Sequence, residues 1–120
     1  MKEENQIQTM TYNFAKDIIL VYKDLTEKKM YDIGRQLLRS WTSIGANIEE
    51  WIGGQSGKDF LSKLSIAYKE ARETKYWINL LYETDIISQE QYDILSPQII
   101  HIINILSKII RTRKSNNWIT

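Results

Sequence analysis

Cysteine is absent from the 120 residues, and histidine and proline occur once each. Without cysteine there is no disulfide, no thiolate metal site and no cysteine nucleophile, a pattern that fits a reducing cytosol. The single histidine, His101, cannot build a histidine-rich metal centre. Bundle di-iron sites need paired Glu-x-x-His motifs, and neither Glu49 nor Glu50 begins one. Glycine is scarce too, and "WIGGQSGKDF" lacks the G-x-x-x-x-G-K-[ST] spacing of a phosphate loop, so Lys58 reads as a surface charge at a helix start. The carboxylates of Glu50 and Glu73 have no second reactive group beside them. No cofactor, metal, small-molecule substrate or catalysis is therefore expected. A charge excess is missing as well. Sixteen basic side chains against fifteen acidic ones leave +1, so any nucleic-acid contact must rest on a local patch. No uninterrupted run of about twenty apolar residues is available to span a bilayer. The polar, acidic opening MKEENQIQTM is unlike a signal peptide. A soluble, cytoplasmic protein is the expectation, with no membrane partner.

Hydrophobic residues make up 42% of the chain, and they recur at steps of three and four, which is the helical period. One stripe is Ile7, Met10, Phe14, Ile18, Val21, Leu25, and the next is Ile33, Leu37, Trp41, Ile44, Ile48, Trp51. The third, Phe60, Leu64, Ala67, Ala71, Thr74, Ile78, Leu81, alternates four and three like a coiled coil. The fourth runs from Tyr92 through Leu95, Ile99, Ile102 and Leu106 to Ile109. Gly53 and Gly54 suit a left-handed helix stop, and Ser56 with Asp59 suits a capped start. "ISQEQY" reads as a capping box, with Ser88 as cap, Gln91 reaching back and Ile87 stapled onto Tyr92. Pro97 should kink the last helix, or restart it from Ser96. Helices near 7–27, 30–52, 57–84 and 88–113, joined by short loops, imply an all-α, antiparallel up-down-up-down four-helix bundle. It would form one domain over 1–120, with frayed tails at 1–6 and 115–120.

Two helices carry more apolar surface than one core uses. On a wheel of 100° per residue, Ile66, Trp77 and Leu80 fall nearly opposite the main stripe of the third helix. Ile94, Ile100 and Ile105 widen the apolar arc of the fourth to about half its circumference, against the roughly 100° that a core-facing stripe requires. Each such side chain is worth about 1.5–3 kcal/mol when buried. A homo-oligomer that covers them follows as an expectation.

On the second helix Arg39, Ser43, Asn47 and Glu50 follow one another at steps of four, four and three, forming a polar line beside the Trp/Ile stripe. Such a line is ordinarily a solvated face. Glu73, on the same side of its helix as Ile66, Trp77 and Leu80, suggests another use, because a carboxylate among apolar groups wants a partner and Arg39 is a candidate. Gly45 within the line costs about 1 kcal/mol relative to alanine, which points to a close approach or a bend.

These residues also carry a resemblance. "LLRSWTSIGANIEE" and "QSGKDFLSKLSIAYKEARETKYWINLLYETDII" resemble the bacterial 23S rRNA intervening-sequence proteins, whose pattern runs R-x-x-x-S-I-(G or P)-x-N-(I or V)-x-E, then S-x-x-(D or E)-F, then I-A-x-x-x-A-R-E. Here those positions are Arg39, Ser43, Ile44, Gly45, Asn47, Ile48 and Glu50, then Ser56, Asp59 and Phe60, then Ile66, Ala67, Ala71, Arg72 and Glu73. The resemblance covers roughly residues 8–110. It implies a four-helix bundle assembled as a ring of five, and, through a related group that serves diversity-generating retroelements, a bundle that binds nucleic acid. Two features differ from the relatives: Trp41 and Trp51 stand where small residues are usual, and the chain is nearly neutral where the retroelement accessory is basic.

The basic candidates for such contact are Lys69, Arg72 and Lys75 on the third helix with Lys108, Arg111, Arg113 and Lys114 on the fourth. Cations in a last helical turn already have a structural reason in the helix dipole, but repetition around a ring would sum modest patches into a phosphate-binding surface. Tyr76 and Trp118 could stack on bases. The expected partner is thus RNA or a ribonucleoprotein, with a protein scaffold that never touches nucleic acid as the alternative.

Overall fold

The computed structural model describes residues 2–54 and 58–117. Four helices, α1 (Lys2–Glu27), α2 (Tyr31–Gly53), α3 (Lys58–Glu83) and α4 (Gln89–Asn117), run up and down in sequence. Each packs on its neighbours in the order α1, α2, α3, α4 and back to α1, with no close diagonal pair among the described residues. The bundle measures 52 × 20 × 20 Å, of which its longest helix, α4, accounts for about 44 Å at about 1.5 Å per residue.

The apolar stripes meet at the centre. Phe14, Ile18, Ile44, Leu64, Ile78, Leu95 and Ile99 are fully buried there. Trp51 joins this core, whereas Trp41 lies at its edge, half-buried. Within the apolar layer sits one polar pair between helices, Ser40 and Thr74. The Thr74 hydroxyl is 2.9 Å from Ser40 Oγ, and Ser40 donates back to Leu37 O at 3.1 Å. Both are fully buried, and their mutual satisfaction sets the height of α2 against α3.

Four details depart from the sequence reading. Helix α1 begins at Lys2 rather than near Ile7, and α4 continues to Asn117. The alternative of a restart at Ser96 is overturned, because Ser96 is buried inside one continuous α4 that also contains Pro97. Gly54 is extended (φ −80°, ψ 167°), not left-handed, and its N–H donates to Trp51 O. The left-handed stops are instead Lys29 (φ 63°) and Asp85 (φ 61°). Each closes a Schellman pair: Lys29 and Met30 donate to Thr26 O and Leu25 O, Asp85 and Ile86 to Tyr82 O and Leu81 O. Tight loops with apolar closure at Met30 and Ile86 outweigh the side-chain penalty of about 1–2 kcal/mol at each non-glycine position.

The start of α4 follows the expected capping box. Gln91 N–H donates to Ser88 Oγ at 3.0 Å, and Ser88 N–H donates to Gln91 Oε1 at 2.8 Å. The expected cap at Ser56 lies outside the described residues. By length and mean hydropathy, Gln89–Ser115 would qualify as a membrane-crossing helix, which corrects the expectation that no segment could. In the bundle, Leu95, Ile99, Ile102, Leu106 and Ile109 of this helix are core, and Gln98 donates across to Asp17 at 2.9 Å.

Candidate subunit and nucleic-acid interfaces

The polar line of α2 divides by function. Ser43 and Asn47 are satisfied within their own helix, since Asn47 Nδ2 donates to Ser43 O at 2.8 Å. Arg39 and Glu50 instead cross to α3. Arg39 binds Glu73 and reaches Glu70 at 3.4 Å, while Lys63 sits 3.0 Å from Glu50. Trp77 Nε1 adds a 3.3 Å bond to the same Glu73 oxygen. Glu70 is the residue that sequence reasoning missed; its position three before Glu73, on the same side of α3, was the available signal. Burial, and then the Glu73 charge beside it, push the Glu70 carboxyl above its usual range. One guanidinium thus serves two carboxylates, leaving a net negative site.

Removing that guanidinium has a calculable consequence. Arg39→Met should destabilise the fold by about 1–2 kcal/mol at neutral pH, a modest figure because Arg39 is half exposed. The Glu70 pKa, already raised in the folded state, rises further in this variant. Ionised Glu70 therefore opposes folding above its folded pKa, and the deficit shrinks as pH falls through that pKa towards the unfolded value. Urea titrations of both proteins at neutral and acidic pH check this, and an equal deficit at both would contradict it.

The six expected interface residues lie on three different faces. Ile66 and Leu80 are exposed on the α2–α3 face, beside the Arg39 site. Ile94 is exposed towards α1 and Ile100 towards α3. Trp77 and Ile105 are only half free, because each packs against its own core; they sit at the stripe edge, where a large side chain reaches inward. The structure adds exposed apolar residues on α1 that its clean stripe concealed: Tyr12 at 69%, Leu20 at 62% and Ile19 at 43%.

The basic residues also separate. In "YKEARETKY" Lys69 and Arg72 each adjoin a carboxylate and Lys75 lies two residues beyond Glu73, and one residue step turns a helix by 100°. Glu70 and Glu73 therefore face α2, Lys69 points outward in line with Leu80, and Arg72 and Lys75 turn towards α4. There Arg72 and Lys75 share a face with Arg111 and Lys114, whereas Lys108, within about 40° of Ile94 on the helical wheel, turns towards α1. Arg72 stacks over Tyr68 at 5.9 Å, and Arg111 donates to Ser107 Oγ at 3.1 Å. The α3–α4 register is set by Tyr92 donating to Asn79 Oδ1 at 3.3 Å and by Tyr82 donating to Gln89. It spreads these cations over about 27 Å along the bundle. None of the six forms an ion pair among the described residues. Tyr76, 60% exposed and edge-on to Trp77, flanks them. Arg113 is the exception to the expected set: it lies over the Trp51 ring at 5.8 Å and caps the core. Trp118 lies outside the described residues. Among the described residues no group of acidic or histidine side chains is placed to hold a metal ion.

The family model described as "23S rRNA-intervening sequence protein" matches residues 3–108. The chain belongs to that family. It is also 43% identical to a crystallised protein of unknown function from the S23 ribosomal protein family of Bacteroides thetaiotaomicron. The match covers 91% of this chain and 98% of that one, with a TM-score of 0.85. No curated protein matches the chain. The motif by which the sequence resembles the 23S rRNA-intervening sequence proteins maps to the α2–α3 seam. Ile44, Ile48, Ala67 and Ala71 are its buried faces, and Arg39 with Glu73 is its tie. Gly45 lies under the Trp41 indole; an added Cβ would stand 3.4 Å from the ring. Such a contact is ordinary van der Waals distance, so the indole lies close to Gly45 without requiring glycine there.

Proposed function

We propose that the protein is a non-enzymatic, homo-oligomeric helical bundle of the cytoplasm, assembled as a pentamer, that binds structured RNA or a ribonucleoprotein through its α3–α4 face. One observation carries this reading: Arg72, Lys75, Arg111 and Lys114 turn to one face without an ion pair among the described residues, while Glu70 and Glu73 are held by Arg39 on another. Phosphate backbones bind such a strip by releasing counterions. Repetition in an oligomer multiplies the effect, and family membership makes rRNA the first substrate to test.

Fluorescence anisotropy with labelled rRNA fragments, from about 50 to about 200 mM salt, is the direct experiment. Binding at the low end that falls linearly on logarithmic axes is the expected outcome; no binding there would overturn the proposal. The exposed Tyr12, Leu20 and Ile94 favour a second reading, a scaffold that meets only protein. A partner retained after nuclease treatment would select it.

A further inference from the structure

Three surfaces remain after the cationic face is set aside. The exposed Leu20 and Ile94 on the α1–α4 side offer apolar area but no charge pattern to name a partner. The niche between Ile33, Trp77, Leu80 and Ile86 is small and wholly apolar. The α1–α2 and α2–α3 faces say more, because they match each other.

On the α1–α2 face Tyr12, Lys16 and Ile19 form a row in the order aromatic, cation, aliphatic. Tyr12 borders an open groove of about 540 Å³ whose wall is Trp41 and whose floor includes Gly45 and Ala46. Lys16 lies over the Tyr12 ring at 5.6 Å. On the α2–α3 face the row is Ile66, then the Glu70/Glu73 pair, then Trp77: aliphatic, anion, aromatic. The heights also agree. The bond from Gln8 to Glu49 at 2.9 Å and the packing of Gly34 on Tyr22 set α1 against α2. They place Tyr12, Lys16 and Ile19 level with Gly45, Trp41 and Leu38. The Ser40–Thr74 and Glu50–Lys63 contacts set α2 against α3. They place Ile66, Glu73 and Trp77 level with Asn47, Ser40 and Gln36. Each member of one row is thus within about 3 Å, along the bundle axis, of its counterpart in the other.

We infer that the α1–α2 face of one copy docks on the α2–α3 face of the next, with Ile66 entering the Tyr12–Trp41 groove and Lys16 meeting the Glu70/Glu73 pair. This rests on the homo-oligomer proposed above. Copies related by a rotation axis along the bundle stand at equal heights, which is the condition that the matched rows satisfy. The second copy also supplies the cation that the net-negative Arg39 site lacks. The two faces share α2 and are adjacent, so the contact turns a corner at each copy and closes a small ring; opposite faces would generate an open filament. In that ring α2 lines the axis, and the cationic α3–α4 face looks outward, free for RNA.

The chain has no cysteine, so a Tyr12→Cys/Ile66→Cys variant carries only two thiols, at positions 69% and 38% exposed. A short bis-maleimide should convert it into a ladder that ends at the mass light scattering gives for the unmodified protein. Neither single variant should link. Linked dimers from Tyr12→Cys alone would mean that the face meets itself and would overturn the inference. An oligomer by scattering with no ladder from the double variant would overturn the face assignment while leaving the homo-oligomer intact. A monomer by scattering would remove both. As a second measurement, Ile66→Asp should shift the protein to monomers with unchanged helical content, whereas Leu20→Asp, on another face, should leave the mass as it was; the reverse pattern counts against the assigned faces.

Discussion

Exchanging Arg72, Lys75 and Arg111 together for glutamine should cost about a hundredfold in RNA affinity near 0.1 M salt, and should lower the slope of log affinity against log salt by about three. The three side chains project from the α3–α4 face and pair with no carboxylate among the described residues. Their loss therefore removes phosphate contacts without stranding a buried charge. The loss should be uniform across RNA sequences, because phosphate contacts carry no base information. Arg113→Gln supplies the contrast. Arg113 is spent on the Trp51 ring, so that variant should lose a little stability and keep its salt slope. If Arg113→Gln altered the slope as strongly as Arg72, Lys75 and Arg111 do, the charge-sorted face would not be the binding surface.

Phe14→Ala is expected to have the largest effect on the fold. Phe14 is completely buried, and deleting such a ring leaves a cavity that costs about 3–5 kcal/mol. Small domains hold only about 5–15 kcal/mol in total, so the urea midpoint should fall by about a fifth or more of its value, with the slope of the transition unchanged. Tyr12→Ala, two residues earlier on α1 but 69% exposed, should change the stability of an isolated subunit by no more than about 0.5 kcal/mol. It should instead weaken assembly, visible as a smaller oligomer fraction at a given protein concentration and a weaker dependence of unfolding on that concentration. Nearly equal losses from the two variants would contradict the burial pattern.

Much of this was legible in the residues. Periodicity identified the four helices and nearly all of their buried positions, because a stripe recurring at three and four must face a partner whatever that partner is. Arg39 and Glu73 could be paired in advance for a similar reason: a carboxylate among Ile66, Trp77 and Leu80 has few ways to be satisfied. The box at Ser88 and Gln91 was equally readable, since both of its bonds are local.

The remaining features depended on distances between elements. The left-handed stops at Lys29 and Asp85 carry no glycine, and only loop closure over Met30 and Ile86 selects them. Arg113 looked like its basic neighbours until α2 brought Trp51 beneath it. Local chemistry thus determined the elements, their faces and the cap at Ser88, because those depend on neighbours within one or two turns. Tertiary structure alone decided which cations share a surface, which carboxylates are held away from it, and which exposed apolar rows stand at equal height. These are relations between helices, and the interhelical register that creates them comes from a few contacts, Ser40 with Thr74 foremost, which no single stretch of sequence contains.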